Sequence, residues 1–161
     1  MAIDRDSRAA FMRRAIELSR VKMRAGEGGP FGAVVVYEDR IVGEGWNRVL
    51  ATRDPTAHAE IVAIREACQR LGRFSLDGAE IYATAEPCPM CLGAILWARI
   101  GHLYYGNTRV EAAAIGFDDA AFYDEVARPP DQRTLPSERL LAAEARVVFA
   151  EWDAKPDKVR Y

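Results

Sequence analysis

The chain has 161 residues, the size of one compact domain with a single core. Half of its residues are hydrophobic and 29% are charged, and the formal net charge at pH 7 is -2. This balance is typical of a globular protein in water, and it argues against a broad phosphate-binding surface, so nucleic acid is not an expected partner.

Membrane insertion and export are not expected either. No apolar run approaches the roughly 18 residues of a membrane-spanning helix. Acidic and basic residues interrupt the N-terminal segment throughout, unlike a secretion signal. Three cysteines are too few for a disulfide framework. The sequence therefore predicts a reducing, cytoplasmic compartment.

The first half of the chain predicts two helices around a β-hairpin. Residues 6–24 have apolar side chains at helical spacing, and a glycine-rich stretch with a proline ends this helix. Residues 31–37 and 41–46 are short runs with many β-branched side chains, and the polar residues between them favour an antiparallel hairpin. Residues 47–56 have the composition of a loop, and residues 57–71 carry the apolar stripe of a second helix.

The second half predicts a parallel strand pair and further helices. Residues 81–84 and 100–105 are predicted strands, with a helix over residues 89–99 between them. The alternation of strand, helix and strand predicts parallel neighbours joined by a crossover. Residues 138–152 predict a last helix. Taken as one domain over residues 1–161, the chain predicts a three-layer α/β/α sandwich with a mixed sheet of about five strands.

Two segments carry metal-binding side chains, and each opens a predicted helix. Cys88 and Cys91 are three residues apart, so both sulfurs can meet one ion at the first turn of a helix. His58 offers a nitrogen from the other helix. Three protein ligands leave the fourth tetrahedral position open, which is typical of a catalytic rather than a structural zinc site.

Glu60, two residues after His58, is the candidate for proton transfer. Two thiolates nearly neutralise Zn²⁺, so the metal should acidify its water less than it would among three histidines. A base beside that water is then needed. Glu60 is placed to take the water proton and to pass it to a leaving group.

Simpler interpretations of these residues exist. Cys88 and Cys91 alone could be a redox pair, but the upstream His-x-Glu argues against it. A structural zinc would need a fourth Cys or His, and the other candidates are His102 and Cys68. His102 lies in a predicted strand, where a surface histidine is the simpler interpretation. Cys68 continues the apolar stripe of its helix and is expected in the core.

His58-x-Glu60 followed by Pro87-Cys88-x-x-Cys91 resembles the H-x-E…P-C-x-x-C signature of zinc-dependent deaminases. Over nearly its whole length the sequence resembles the cytidine deaminase-like superfamily, and within it the small bacterial guanine deaminases. The motif segments are also similar to those of tRNA adenosine deaminases. The segments that favour the guanine deaminases are Ile-Gly-Phe-Asp-Asp at residues 115–119 and the C-terminal Tyr161.

The resemblance implies a zinc-dependent hydrolase that converts a free nucleobase, with guanine as the first candidate, to xanthine and ammonia, with water as co-substrate. Open alternatives are a nucleoside of guanosine or cytidine type, and a related aminated ring such as a triazine. A tRNA adenosine deaminase should have a basic C-terminal helix, whereas residues 138–161 hold five acids and five bases. A non-catalytic zinc module would have no use for Glu60.

The resemblance also implies which residues hold the base. An asparagine after the second strand, here Asn47, binds it, and aromatic residues matching Phe31 and Trp97 line the pocket. The backbone amide of Ala59 contacts the ring. Phe31 and Trp97 could instead be plain core residues.

Two further assignments concern the C-terminal third of the chain. An acid, Asp118 or Asp119 with Asp119 favoured, recognises N–H groups of the base, because a carboxylate accepts two hydrogen bonds at once. Asp118 could instead cap the following helix. The family exchanges its C-terminal segment between the subunits of a homodimer, which places Tyr161 in the partner's site. Tyr161 could otherwise be an unanchored terminal residue.

Overall fold

The computed structural model of the chain describes residues 5–117 and 119–161. Its strands are β1 (Gly32–Tyr37), β2 (Arg40–Trp46), β3 (Glu80–Ala85) and β4 (His102–Asn107). Its helices are α1 (Arg5–Arg24), α2 (Val49–Thr52), α3 (Ala59–Leu71), α4 (Pro89–Trp97), α5 (Arg109–Ala114), α6 (Ala120–Ala127) and α7 (Ala142–Ala154), with one 3-10 turn at Pro130–Gln132. None of the described helices is long and apolar enough to cross a membrane.

The strands form one mixed sheet in the order β2-β1-β3-β4. β1 is antiparallel to both β2 and β3, whereas β3 and β4 are parallel and are joined through α4. Glu38 and Asp39 turn the hairpin with φ values of 49° and 59°, a backbone twist that suits a two-residue hairpin loop. The predicted hairpin and the predicted parallel pair are both confirmed.

The described sheet has four strands rather than about five. The segment after β4 begins a helix at once, because Thr108 and Glu111 form a capping box in which each side chain bonds the other's backbone N–H. This local signal starts α5, and α6 follows it, so the described chain adds no fifth strand next to β4.

Helices cover both faces of the sheet, as the predicted three-layer sandwich requires. One buried cluster joins α1 to the sheet through Ala15, Leu18, Val34, Val36 and Tyr82. The other face of β1, with Ala33 and Val35, packs with α3 and α4. Neighbouring residues of β1 thus enter opposite cores, which explains why this strand is a continuous apolar run.

Helix α3 lies so close to β2 that position 45 requires glycine. A Cβ added at Gly45 would lie 2.0 Å from the carbonyl oxygen of Ala59 and 2.6 Å from the amide nitrogen of Ala63. Both atoms belong to helix backbone and cannot turn aside as a side chain can. Because His58 and Glu60 flank Ala59, this contact fixes the end of α3 that carries the predicted site.

Two C-terminal and loop predictions need adjustment. The predicted loop over residues 47–56 contains the four-residue α2, whose Ala51 amide donates to the carbonyl of Glu27 at 3.2 Å. A four-residue helix is too short to show an apolar stripe in the sequence, and Glu27, which accepts its hydrogen bond, is distant in the chain. The sequence pattern therefore gave no sign of it. The helix predicted at 138–152 is α7, which begins later, at Ala142.

We expect Gly45→Ala to lower the free energy of unfolding by about 1–3 kcal/mol or more, because α3 must move away from β2. Gly93→Ala is the matched control, since its Cβ meets no heavy atom within 4 Å. In helix α4 that change should be neutral or stabilising by about 0.5–1 kcal/mol. Urea unfolding of both variants measures the difference. Equal midpoints for Gly45→Ala and the wild type would contradict the close packing.

Candidate active site

Three metal-binding atoms meet where α3 and α4 begin. His58 is the N-cap residue of α3, and Cys88 is the N-cap residue of α4, with Cys91 in the first turn of that helix. The Nδ1 atom of His58 lies 3.6 Å from Cys88 Sγ and 3.5 Å from Cys91 Sγ. All three ligand atoms lie within 4.8 Å of one another.

These separations fit tetrahedral zinc. Zinc bonds of about 2.3 Å to sulfur and about 2.05 Å to nitrogen, at the tetrahedral angle, place the nitrogen about 3.6 Å from each sulfur. One imidazole and two thiolates are also a donor set that zinc favours. Within the parts of the chain that the structure describes, no other group of His, Cys, Asp and Glu meets in this way, and neither His102 nor Cys68 joins it.

Hydrogen bonds among these groups favour a thiolate at Cys88. The Cys91 thiol donates to the Cys88 sulfur, and with the His58 ring it lowers the pKa of Cys88 to about 4. The hydrogen bond between His58 and Cys88 in turn raises the pKa of His58. The N-terminus of α4 adds a positive field at Cys88. A cation placed here would replace the protons that these groups share, because the thiolate is the form that binds metal.

A cavity of about 450 Å³ opens beside the metal-binding atoms. Six of the residues predicted from the sequence line it: Phe31, Asn47, His58, Glu60, Cys88 and Asp119. The structure thus brings the predicted metal ligands and much of the predicted base-binding set to one place.

Glu60 is buried in the wall of this cavity, two residues beyond His58. Burial raises the pKa of its carboxyl group. A carboxyl group that is screened from bulk water and that faces the same cavity as the metal ligands suits a role in proton transfer.

Asn47 is held by the backbone around it. Its Oδ1 accepts hydrogen bonds from the backbone amides of Gly29 and Val49, both at 3.3 Å, and the backbone N–H of Asn47 donates to the carbonyl of Phe31 at 3.0 Å. Two backbone donors identify Oδ1 as the oxygen of the side-chain amide. The Nδ2 group is therefore the donor that Asn47 can offer to a molecule in the cavity.

An aromatic pair forms the apolar part of the wall. The rings of Phe31 and Phe117 meet edge to face, with centroids 4.8 Å apart and an interplanar angle of 90°. Sequence reasoning missed Phe117, although it drew attention to the acids beside it in the segment 115–119. The same segment could have pointed to Phe117, because it follows the capped helix α5 and brings Phe117 and Asp119 to the cavity.

The remaining predicted residues lie elsewhere. Trp97 is 64% exposed and stands outside the cavity, so within one chain it is neither pocket wall nor core. Tyr161 also lies outside the cavity, and the centroid of its ring is 6.3 Å from that of the Trp97 ring. Ala59 is buried between His58 and Glu60. Asp119 occupies the N-cap position of α6 without a capping hydrogen bond from its side chain. Asp118 lies outside the described residues.

A second feature that the sequence did not reveal joins α5 and α6 to residues 86–88, which we call the metal-binding loop. The hydroxyl of Tyr123 donates to the carbonyl of Pro87 at 2.6 Å. Arg109 pairs with Glu86 at 3.3 Å, and its guanidinium lies 4.6 Å from the centre of the Tyr123 ring. These contacts hold the segment that carries Asp119 against the residues immediately before Cys88.

Known proteins are similar to this chain in sequence and in fold. A family model described as the cytidine and deoxycytidylate deaminase zinc-binding region matches residues 5–107. The guanine deaminase of Bacillus subtilis (strain 168) is 44% identical over 151 residues, which cover 94% of this chain and 97% of that protein. The X-ray structure of guanine deaminase from Bacillus subtilis has a TM-score of 0.93 at 42% identity and covers 99% of both chains.

A second group of relatives matches a shorter part of the chain. The tRNA-specific adenosine deaminase of Haemophilus influenzae is 45% identical over 114 residues, which cover 67% of this chain and 65% of that protein.

We expect Cys88→Ser to weaken zinc binding by at least about tenfold, because a hydroxyl replaces one of the two thiolate ligands. Cys68→Ser is the matched control, since that thiol is partly exposed on α3 and does not belong to the cluster. Zinc per chain, measured after gel filtration with a chelator, gives the comparison. Full zinc content in Cys88→Ser, at a chelator concentration that spares the control, would contradict the assignment.

Proposed function

The chain is a zinc-dependent hydrolase of the cytidine and deoxycytidylate deaminase family, and we propose that it converts free guanine to xanthine and ammonia. One observation carries the choice of substrate. Similarity to the guanine deaminase of Bacillus subtilis spans nearly all of both chains, including the part after residue 107 that supplies Phe117 and Asp119 to the cavity. Because the similarity spans nearly the whole chain, we also propose that residues 1–161 form one deaminase domain.

We propose that His58, Cys88 and Cys91 hold the zinc. When bound, the ion supplies Lewis-acid chemistry that makes an adjacent water a better nucleophile. Because two thiolates offset most of its charge, a protein base is needed as well. Glu60 takes a proton from the water as the water oxygen bonds to the ring carbon and the C=N π electrons move to the ring nitrogen. It returns a proton to the amino group as the C–N bond breaks, the C=N bond re-forms and ammonia leaves.

The cavity wall offers partners for each part of the base. Guanine presents neighbouring N–H donors on one edge, which the carboxylate of Asp119 can accept. The Nδ2 group of Asn47 can donate to an acceptor on another edge. Phe31 supplies a ring for packing against the flat base. The backbone amide of Ala59 is proposed as a further contact, from the same resemblance.

Replacing Glu60 by Gln should lower kcat for guanine by about 10²–10⁴-fold with zinc content unchanged, because the amide cannot accept the water proton. Glu66→Gln on the same helix is the matched control, since that side chain lines a different cavity. Ammonia release measures turnover. Wild-type rates in Glu60→Gln would overturn the proposed mechanism.

The same ammonia assay on guanine, guanosine, cytosine, cytidine and an aminotriazine tests the substrate. We expect the highest kcat/KM with guanine, because the similarity to guanine deaminase covers the entire cavity wall. A preference for guanosine would assign the enzyme to nucleosides and would contradict the free base as substrate.

We also propose a homodimer in which the C-terminal segment of one subunit completes the site of the other. None of the residues of α7 is buried, and no other described element packs extensively against it. Several large apolar side chains in and next to α7 are exposed: Leu140, Leu141, Val147, Phe149 and Trp152. An apolar surface of this extent is typical of a protein interface. Tyr161, 73% exposed and outside its own cavity, is then available to a partner.

Co-expression of two inactive variants tests this exchange. Tyr161→Ala should lower activity by at least about tenfold, because the closed site loses a wall. A mixed dimer of Tyr161→Ala and Glu60→Gln has one site with both an intact Glu60 and an intact partner Tyr161. Random pairing should therefore restore about a quarter of wild-type activity. Mixed dimers that form, as seen by native mass spectrometry, without regained activity would contradict a role in trans.

Two further proposals concern the cellular location of the protein and its substrate class. We propose a cytoplasmic location, supported by the three free cysteines, Cys68, Cys88 and Cys91. A tRNA substrate is disfavoured because residues 138–161 carry balanced charge and because the tRNA-specific relative matches two thirds of the chain.

A further inference from the structure

A hydrogen bond between two side chains lies just outside the cavity, next to Asn47. The indole Nε1 of Trp46 donates to Oε2 of Glu27 at 2.6 Å. The ammonium of Lys22 donates to Oε1 of the same carboxylate at 3.1 Å and lies 4.1 Å from the centre of the Trp46 ring. Hydrogen bonds from Lys22 and Trp46 lower the pKa of Glu27, so the carboxylate is charged at neutral pH.

This carboxylate joins two chain segments that both reach Asn47. Trp46 ends β2, and Asn47 is the next residue. Glu27 begins the glycine-rich loop in which the amide of Gly29 donates to Asn47 Oδ1 at 3.3 Å. The loop lies directly against that side chain, because a Cβ added at Gly28 would be 2.4 Å from Asn47 Oδ1 and 2.2 Å from the Asn47 carbonyl oxygen.

The backbone of Glu27 also holds the other side of the same wall. Its carbonyl accepts a hydrogen bond from Ala51 in α2 at 3.2 Å. At the start of that helix, the amide of Val49 donates to Asn47 Oδ1 at 3.3 Å. Both hydrogen bonds that orient the Asn47 amide therefore come from segments that Glu27 fixes.

We infer that Glu27 is a positioning residue, whose hydrogen bond from Trp46 holds the glycine-rich loop against Asn47 and so directs the Nδ2 group toward the substrate. The inference rests on the proposed function, since it requires Asn47 to bind the base. The ion pair with Lys22 is partly exposed to solvent and should contribute little, whereas the hydrogen bond from the indole to a charged acceptor should contribute more.

A double-mutant cycle between Glu27 and Asn47 tests this role. Glu27→Ala should raise KM for guanine about tenfold and change kcat less than about twofold, because substrate binding loses a directed hydrogen bond. In an Asn47→Ala background the same change should alter KM by less than about twofold. Glu27→Gln keeps an acceptor for the indole and should restore most of the affinity. Glu17→Ala, in an exposed ion pair with Arg14 on helix α1, is the control and should be silent.

Hydrogen–deuterium exchange of residues 26–31 gives a readout that does not depend on activity. The amide of Gly29 should exchange faster in Glu27→Ala and near the wild-type rate in Glu27→Gln. An equal rise of KM in both backgrounds, or no change in KM and exchange, would overturn the inference for Glu27. An unchanged KM in Asn47→Ala would overturn both the role of Asn47 and that of Glu27. A wild-type enzyme inactive on guanine would overturn the proposed substrate alone, and the cycle is then run on the base that the enzyme deaminates.

Discussion

The active site depends on two helix N-termini that lie within reach of a single metal ion. His58 occupies the N-cap position of α3 and Cys88 that of α4, so the ligand atoms lie where unpaired backbone N–H groups create a positive field. The fold imposes their separation. Helix α3 is pressed against β2 at Gly45, and α4 is the crossover between two parallel strands. A small shift of either helix would exceed the tolerance of zinc–ligand distances, which explains why the packing beneath the site is so close.

The binding wall is assembled from segments with little regular structure of their own. Asn47, the glycine-rich loop and α2 are joined by hydrogen bonds that converge on one amide oxygen. On the opposite side, Tyr123 and Arg109 fasten the segment after β4 to the metal-binding loop. The metal-binding side chains therefore lie at helix ends, whereas the residues proposed to bind the base lie on loops that are held in place by particular side-chain contacts. This division fits an enzyme family whose members share chemistry but differ in substrate.

The C-terminal segment has a different relation to the fold. Helix α7 contributes nothing to the described core, and its apolar residues face outward together with Tyr161. A helix with such a surface gains most of its stability from packing against another surface. The proposed exchange between subunits would supply that surface, and it would also bring an aromatic side chain to a cavity that Trp97 of the same chain does not reach.

The amino-acid sequence alone predicted the three metal-binding side chains that the structure brings together, the hairpin and the parallel strand pair, and it identified Glu60 as the candidate proton carrier. Each of these depends on a short-range signal: the spacing of Cys88 and Cys91 at a helix start, the position of Glu60 after His58, or the alternation of strand and helix. Only the tertiary structure decided the place of Phe117 in the wall, the existence of α2, the count of four strands and the absence of Trp97 from the cavity. These depend on contacts between residues far apart in the chain, whose energies no local pattern contains.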